Sequence, residues 1–201
     1  MSTIATDYYT TMTRAFAAGP PPELEKVADL LASCVEQRRT AFTLGNGASA
    51  ALAAHMACDL GKGTASDLGA PVTAPPAPRL RIVSLPDNTA LLTAYGNDVD
   101  YDSVFVEPLK NLLAPGDVVL AVSASGSSPN VLRAVEYARS RGAHTVGFTG
   151  SMPSAGELER RCDITVRTPL TTIEQIEDAH VTFHHVIALL LRERMAATSA
   201  S

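Results

Sequence analysis

The sequence predicts an α/β fold in which a five-stranded parallel sheet lies between layers of helices. Three observations lead there. Short apolar runs alternate along the chain with longer stretches whose apolar residues recur at helical spacing, the pattern of strands joined by right-handed helical crossovers. A small, hydroxyl-rich loop, Ser123-Ala124-Ser125-Gly126-Ser127-Ser128, follows one apolar run directly and precedes a helical pattern starting near Asn130. The chain has 201 residues, 46% of them hydrophobic and 18% charged, which suits one domain able to bury a full core.

Taken in order, Met1 to Ala17 reads as a helix that Gly19-Pro20-Pro21-Pro22 breaks. Glu23 to Arg38 resumes helically through Val27, Leu30, Leu31 and Cys34. These N-terminal helices (1–38) precede an α/β core (39–195) and a tail (196–201) within a single domain. The core opens with Thr40 to Leu44 as a strand and Ala48 to Leu60 as a helix. Leu80 to Leu85 then forms a strand and Thr89 to Tyr95 a helix, stopped by Gly96. Asp117 to Val122 is a third strand, Pro129 to Arg141 a helix, Thr145 to Phe148 and Asp163 to Val166 two further strands, and Thr172 to Met195 the last helix. Gly63 to Pro78, with four prolines, is the long irregular connection and is expected on the surface or at an interface.

Composition narrows the function. Asp plus Glu outnumber Lys plus Arg by 21 to 16 and no basic cluster stands out, so nucleic acid is not an expected ligand. Cys34, Cys58 and Cys162 are odd in number and lack metal-finger or Cys-x-x-Cys spacing. They read as reduced thiols, which points to the cytoplasm. The apolar run Val186 to Leu191 is far too short to span a membrane, and no membrane partner is expected.

The serine loop is a candidate phosphate cradle, because helix N-terminal amides and the positive end of the helix dipole favour an anion and hydroxyls add donors without bulk. Gly45-Asn46-Gly47-Ala48-Ser49, after the first strand, begins like a dinucleotide fingerprint but lacks its third glycine and its acidic ribose partner. It is better suited to a sugar phosphate, through its amides and Ser49. His55 and Asp59 share a helix face, and Glu177, Val181 and His185 share another, so two helices offer a mixed N/O metal site. From spacing alone His180 or His184 could replace His185. Asp98, after Gly96-Asn97, is placed to accept hydrogen bonds from sugar hydroxyls.

In their order and spacing, Gly45-Asn46-Gly47-Ala48-Ser49, His55 to Leu60, Gly96-Asn97-Asp98, Gly116-Asp117, Ser123 to Ser128, Thr149-Gly150 and Ile176 to His180 followed by His185 resemble the sugar isomerase (SIS) family. Within it they resemble the phosphoheptose isomerases, over about Leu24 to Leu191. The resemblance implies an SIS-type three-layer sandwich, a homotetramer with active sites at subunit contacts, and the N-terminal helices packing between subunits. It also implies one Zn²⁺ per subunit on His55, Asp59, Glu177 and His185, with Asp59 and His185 catalytic. Asn46, Ser49, Asp98, Ser123, Ser125, Ser128 and Glu177 are implied to bind the substrate and its phosphate. Three departures stand out: Asp59 replaces a glutamate, Glu177 replaces a glutamine, and Lys62-Gly63 replaces Gly-Arg.

The activity so implied is aldose–ketose isomerisation of sedoheptulose 7-phosphate to a D-glycero-heptose 7-phosphate through an enediol. Two rival readings are an isomerase of another long-chain ketose phosphate, such as octulose 8-phosphate, and a non-catalytic SIS protein that binds the replication initiator. The second is disfavoured because both Asp59 and His185 are present.

Overall fold

The computed structural model describes residues 3–199. Its five strands are β1 (Thr40–Gly45), β2 (Arg81–Ser84), β3 (Val118–Val122), β4 (His144–Thr149) and β5 (Ile164–Arg167). All pairings are parallel, in the order β2-β1-β3-β4-β5. The helices are α1 (Thr3–Ala17), α2 (Glu23–Glu36), α3 (Ala48–Gly61), α4 (Thr89–Asp98), α5 (Val106–Leu112), α6 (Pro129–Ser140), α7 (Gly156–Glu159) and α8 (Ile173–Ser199).

The two-residue period of a strand divides β3 between two cores. Val118, Leu120 and Val122 pack with Leu31 of α2, Met56 of α3 and Ile187 of α8. Val119 and Ala121 face the opposite layer, with Leu109 of α5 and Val131 and Val135 of α6. Both faces of the sheet are therefore covered, which is why its central strand is continuously apolar. Burying each such Val or Leu contributes about 1.5–3 kcal/mol before conformational entropy is charged.

Topology positions the site. The chain leaves β1 for β2 on one side and returns to β3 on the other, so the strand order reverses between β1 and β3. Ligands bind beyond the carboxyl ends of strands at such a reversal. There Gly45 pairs in register with Val122, setting the Asn46–Gly47 turn beside the serine loop that begins at Ser123.

Several boundaries differ from the sequence-based expectation. Met1 and Ser2 lie outside the described residues, as do Ala200 and Ser201 at the end of the expected tail. The expected tail from Ala196 is helical through Ser199, because α8 runs on past Met195. Gly96 lies inside α4, which continues to Asp98 and so is not stopped by the glycine. The stretch 99–116 holds a 3₁₀ turn at Tyr101–Ser103 and the short α5, which buries Pro108 and Leu109. Pro108 in a first helical turn removes no hydrogen bond the helix needs, so it does not forbid α5.

Helix α1 has no buried residue and exposes Ile4 and Tyr9 at 79% and 74%. It packs against the core through Met12 and Ala15 and is tied to α8 by Tyr8 Oη donating to Asp178 Oδ2 at 2.6 Å and by Gln175 Nε2 donating to Tyr8 O at 3.5 Å. No described helix is long and apolar enough to cross a membrane.

Candidate active site

The serine loop is a turn that only glycine can close. Gly126 has φ +66°, and a Cβ there would lie 2.6 Å from Ala155 Cα and 2.8 Å from Thr149 Oγ1. The turn is pinned by Gly126 N donating to Ser123 O, Leu158 N to Gly126 O, and Ser154 Oγ to Ser125 O at 2.7 Å. Ser123 Oγ lies 3.2 Å from Ser128 Oγ, and Ser127 Oγ lies 3.2 Å from Ser125 Oγ. Ser128 is the N-cap of α6, yet its hydroxyl makes no capping bond to the helix. Pro129 opens α6 without an N–H and Val131 N donates to Asn130 Oδ1 at 2.9 Å, so the hydroxyls of Ser123, Ser125, Ser127 and Ser128, with the Asn130 amide, are the donors gathered at this helix start.

The neighbouring turn is equally constrained. Gly47 caps α3 with φ +55°, and a Cβ on Gly45 would lie 2.7 Å from the carbonyl oxygen of Ser49. Ser49 is buried in the first turn of α3. Asn46, expected to touch substrate, spends its amide on the protein. Its Nδ2 donates to Asn130 Oδ1 and its Oδ1 accepts from Asn130 Nδ2, both at 2.9 Å, while Tyr101 Oη donates at 3.1 Å. Asn130 is buried at the start of α6, so this reciprocal amide pair locks the two turns together. Asp98 sits exposed at the end of α4, its Oδ1 accepting from Asn97 Nδ2 at 2.8 Å.

A second constellation lies where α3 packs against α8. Asp59 Oδ2 is 3.2 Å from His55 Nε2, 3.2 Å from His184 Nε2 and 3.5 Å from His185 Nε2. One ligating atom from each of these four residues lies within 4.8 Å of the others. His55 and His185 are open to solvent at 45% and 48% of their side chains, whereas His184 is fully buried. Burial, followed by the neighbouring His185, pushes the His184 imidazole down to about 4 despite the opposing pull of Asp59. At neutral pH it therefore offers a lone pair rather than a charge.

The donor set fits a zinc-like ion. Metal–ligand bonds of 2.0–2.1 Å in a tetrahedron separate ligand atoms by roughly 3.3 Å, the spacing seen from Asp59 to each imidazole. Three imidazoles and one carboxylate are also the nitrogen and oxygen ligands such an ion prefers.

This group overlaps the ligand set drawn from the resemblance without matching it. His55, Asp59 and His185 come together, but Glu177 is outside the group and His184 is inside it. Glu177 and His185 are eight residues apart on one helix, roughly 12 Å along its axis, and Glu177 stands apart from the group in this protomer. Glu177 instead sits near Glu174 and Asp178, and burial first, then those two charges, raises its pKa. The helical spacing that left His184 as an alternative to His185 was informative, since adjacent helical residues at a helix–helix seam can both reach one point. His180 turns inward, its ring 5.9 Å from that of Phe148. Both its nitrogens are buried without a well-formed hydrogen bond. Burial pushes its pKa down to about 4, against a smaller opposing pull from the Thr149 backbone.

Comparison with known proteins places the chain in a family. The SIS domain family model matches residues 7–150. A phosphoheptose isomerase from Rhodospirillum rubrum is 32% identical over 88% of each chain, and one from Burkholderia pseudomallei is 34% identical over 84% of this chain and 80% of the other. Among solved structures, phosphoheptose isomerase GmhA from Neisseria gonorrhoeae superposes with a TM-score of 0.80 at 26% identity, covering 93% of this chain and 96% of that one. A phosphoheptose isomerase from Francisella tularensis gives 0.82 at 26% identity, covering 96% and 100%. The chain therefore belongs to the SIS-domain family and, within it, to the phosphoheptose isomerases.

Proposed function

We propose that the protein interconverts sedoheptulose 7-phosphate and a D-glycero-heptose 7-phosphate. The observation that carries this reading is the pairing of a serine-lined anion cradle at the strand-order reversal with an imidazole–carboxylate group further along the same helix, α3. Ser49 and Asp59 are ten residues apart on that helix, roughly 15 Å along its axis, a span that suits a long-chain rather than a three-carbon phosphosugar.

In the chemistry proposed, the hydroxyls of Ser49, Ser123, Ser125 and Ser128 hold the phosphate, together with the first amides of α3. Asp98 accepts hydrogen bonds from the sugar hydroxyls. Asp59 moves a proton between C1 and C2 through an enediol, and His185 moves one between the two oxygens. His55 and His185 are open enough to meet a substrate, while His184, buried and neutral, supports Asp59 from behind. His55, Asp59, His184 and His185 would hold one Zn²⁺ per protomer, and when bound the ion supplies Lewis acidity toward the sugar carbonyl. The protein is read as a cytoplasmic homotetramer. The exposed Ile4 and Tyr9 of α1 support burial of that helix against another copy.

Incubation with ketose phosphates of different chain lengths, followed by NMR, tests the substrate. The seven-carbon ketose should be converted fastest, and faster conversion of an eight-carbon ketose would replace it as the substrate.

A further inference from the structure

A cavity of about 1170 Å³ lies at the opposite end of the sheet from the serine cradle. Arg38 and Arg81 line it at the amino ends of β1 and β2, Arg192 from α8, and Arg79 from the connection between α3 and β2. The six residues of β1 separate it from the cradle by about 20 Å.

The arginines are held in place. Arg81 Nη1 donates to Arg38 O at 3.2 Å, and Arg192 Nε to Gly63 O at 3.0 Å, leaving the remaining guanidinium donors of both uncommitted to these bonds. Arg38 stands at φ +55°, a left-handed turn that ends the α2 segment and that an arginine rarely adopts. Arg79 is paired with Asp67 at 2.6 Å, and Asp67 also accepts from Ala77 N at 3.1 Å, which folds the proline-rich connection over the cavity. Among the described residues lining it, Glu36 alone is acidic, so with Arg79 paired to Asp67 the charges of Arg38, Arg81 and Arg192 still outnumber it, in a chain whose net charge is −5. Val35, Pro76, Pro78 and Met195 supply apolar wall.

Forked guanidinium groups match phosphate oxygens in pairs, and an apolar wall beside them suits an organic body. Guanidinium groups on the sheet edge and on α8 exceed what a single phosphate would engage. We infer that this cavity binds a small molecule carrying a diphosphate, of the nucleotide class. It closes over the ends of α3 and α8, the two helices that carry His55, Asp59, His184 and His185.

Titration calorimetry of the full chain with ADP, and with pyrophosphate and inorganic phosphate as comparisons, tests the inference. ADP should bind saturably at one per protomer and more tightly than phosphate. Its affinity should fall at least tenfold in Arg81→Gln/Arg192→Gln. It should fall as far in Arg38→Asn, which removes the charge while placing at φ +55° a residue that tolerates that conformation. Ser125→Ala should bind ADP as the parent does. The inference is overturned by the absence of saturable binding, by smaller losses in those variants, by loss of ADP binding in Ser125→Ala, or by displacement of ADP with sedoheptulose 7-phosphate.

Discussion

Gly126 is the hinge of the proposed phosphate cradle, and Gly126→Ala should damage both stability and phosphate binding. The residue occupies φ +66°, and an added methyl would approach Ala155 Cα at 2.6 Å, Ala155 O at 2.8 Å and Thr149 Oγ1 at 2.8 Å. Two of those three atoms belong to backbone and cannot rotate away. A left-handed conformation costs a non-glycine residue about 1–2 kcal/mol, and overpacking typically adds about 1–3 kcal/mol. The expected destabilisation is therefore about 2–5 kcal/mol, and at about 2–4 °C per kcal/mol for a domain of this size the melting temperature should drop by roughly 4–20 °C. Urea unfolding at fixed protomer concentration reads the stability. Because the turn also sets Ser125 and Ser128, KM for the phosphosugar should rise in protein still folded at the assay temperature. A variant losing less than about 0.5 kcal/mol with KM unchanged would refute the packing argument.

Ser125→Ala should raise KM far more than it lowers kcat, the signature of lost uniform binding, and an unchanged KM in steady-state kinetics would place the phosphate elsewhere. Metal analysis should find about one zinc per protomer in the parent and markedly less in His184→Ala and His55→Ala, while Glu177→Ala keeps its metal; loss in Glu177→Ala and His55→Ala with metal kept in His184→Ala would support the ligand set inferred from the resemblance instead. His180 contributes a pH dependence whose sign is fixed by its lowered pKa. Below about 6.5 the unfolded chain takes up a proton that the native state refuses until about 4, so stability falls as pH drops through that window. The burial-based limit is about 3 kcal/mol at 1.36 kcal/mol per unit, and His180→Phe should flatten the decline in urea midpoint between pH 7 and pH 5; an unchanged slope would assign the acid sensitivity to other groups.

How far the sequence could be read follows from the kind of signal each element carries. Strands buried on both faces, such as Val118–Val122, announce themselves as apolar runs, and the serine loop behind them marks the proposed anion site. Short α5 and the four-residue α7 carry too little periodicity to be seen, since seven residues make barely two turns. Within the second constellation, spacing identified His55 and Asp59 as one face because both lie on α3. It could not choose among His180, His184 and His185, because that depends on how α8 rotates against its neighbours. Packing turns His180 toward Phe148 and sends His184 and His185 together toward Asp59. The partner of Asn46 was equally hidden, since Asn130 stands 84 residues away and meets it only once β1 and β3 pair.

Asp59 is the proposed carbon base, and solvent deuterium exchange in Asp59→Asn reads that role at the reacting carbons. The amide keeps the shape of the carboxylate and removes its basicity, so the variant should fold and assemble as the parent does. NMR in deuterated water should then show no deuterium entering C1 or C2 of the ketose phosphate, with metal content measured in the same sample to separate lost basicity from lost zinc. Full isomerisation with deuterium uptake in that variant would contradict the account and pass the role of base to His185 or Glu177.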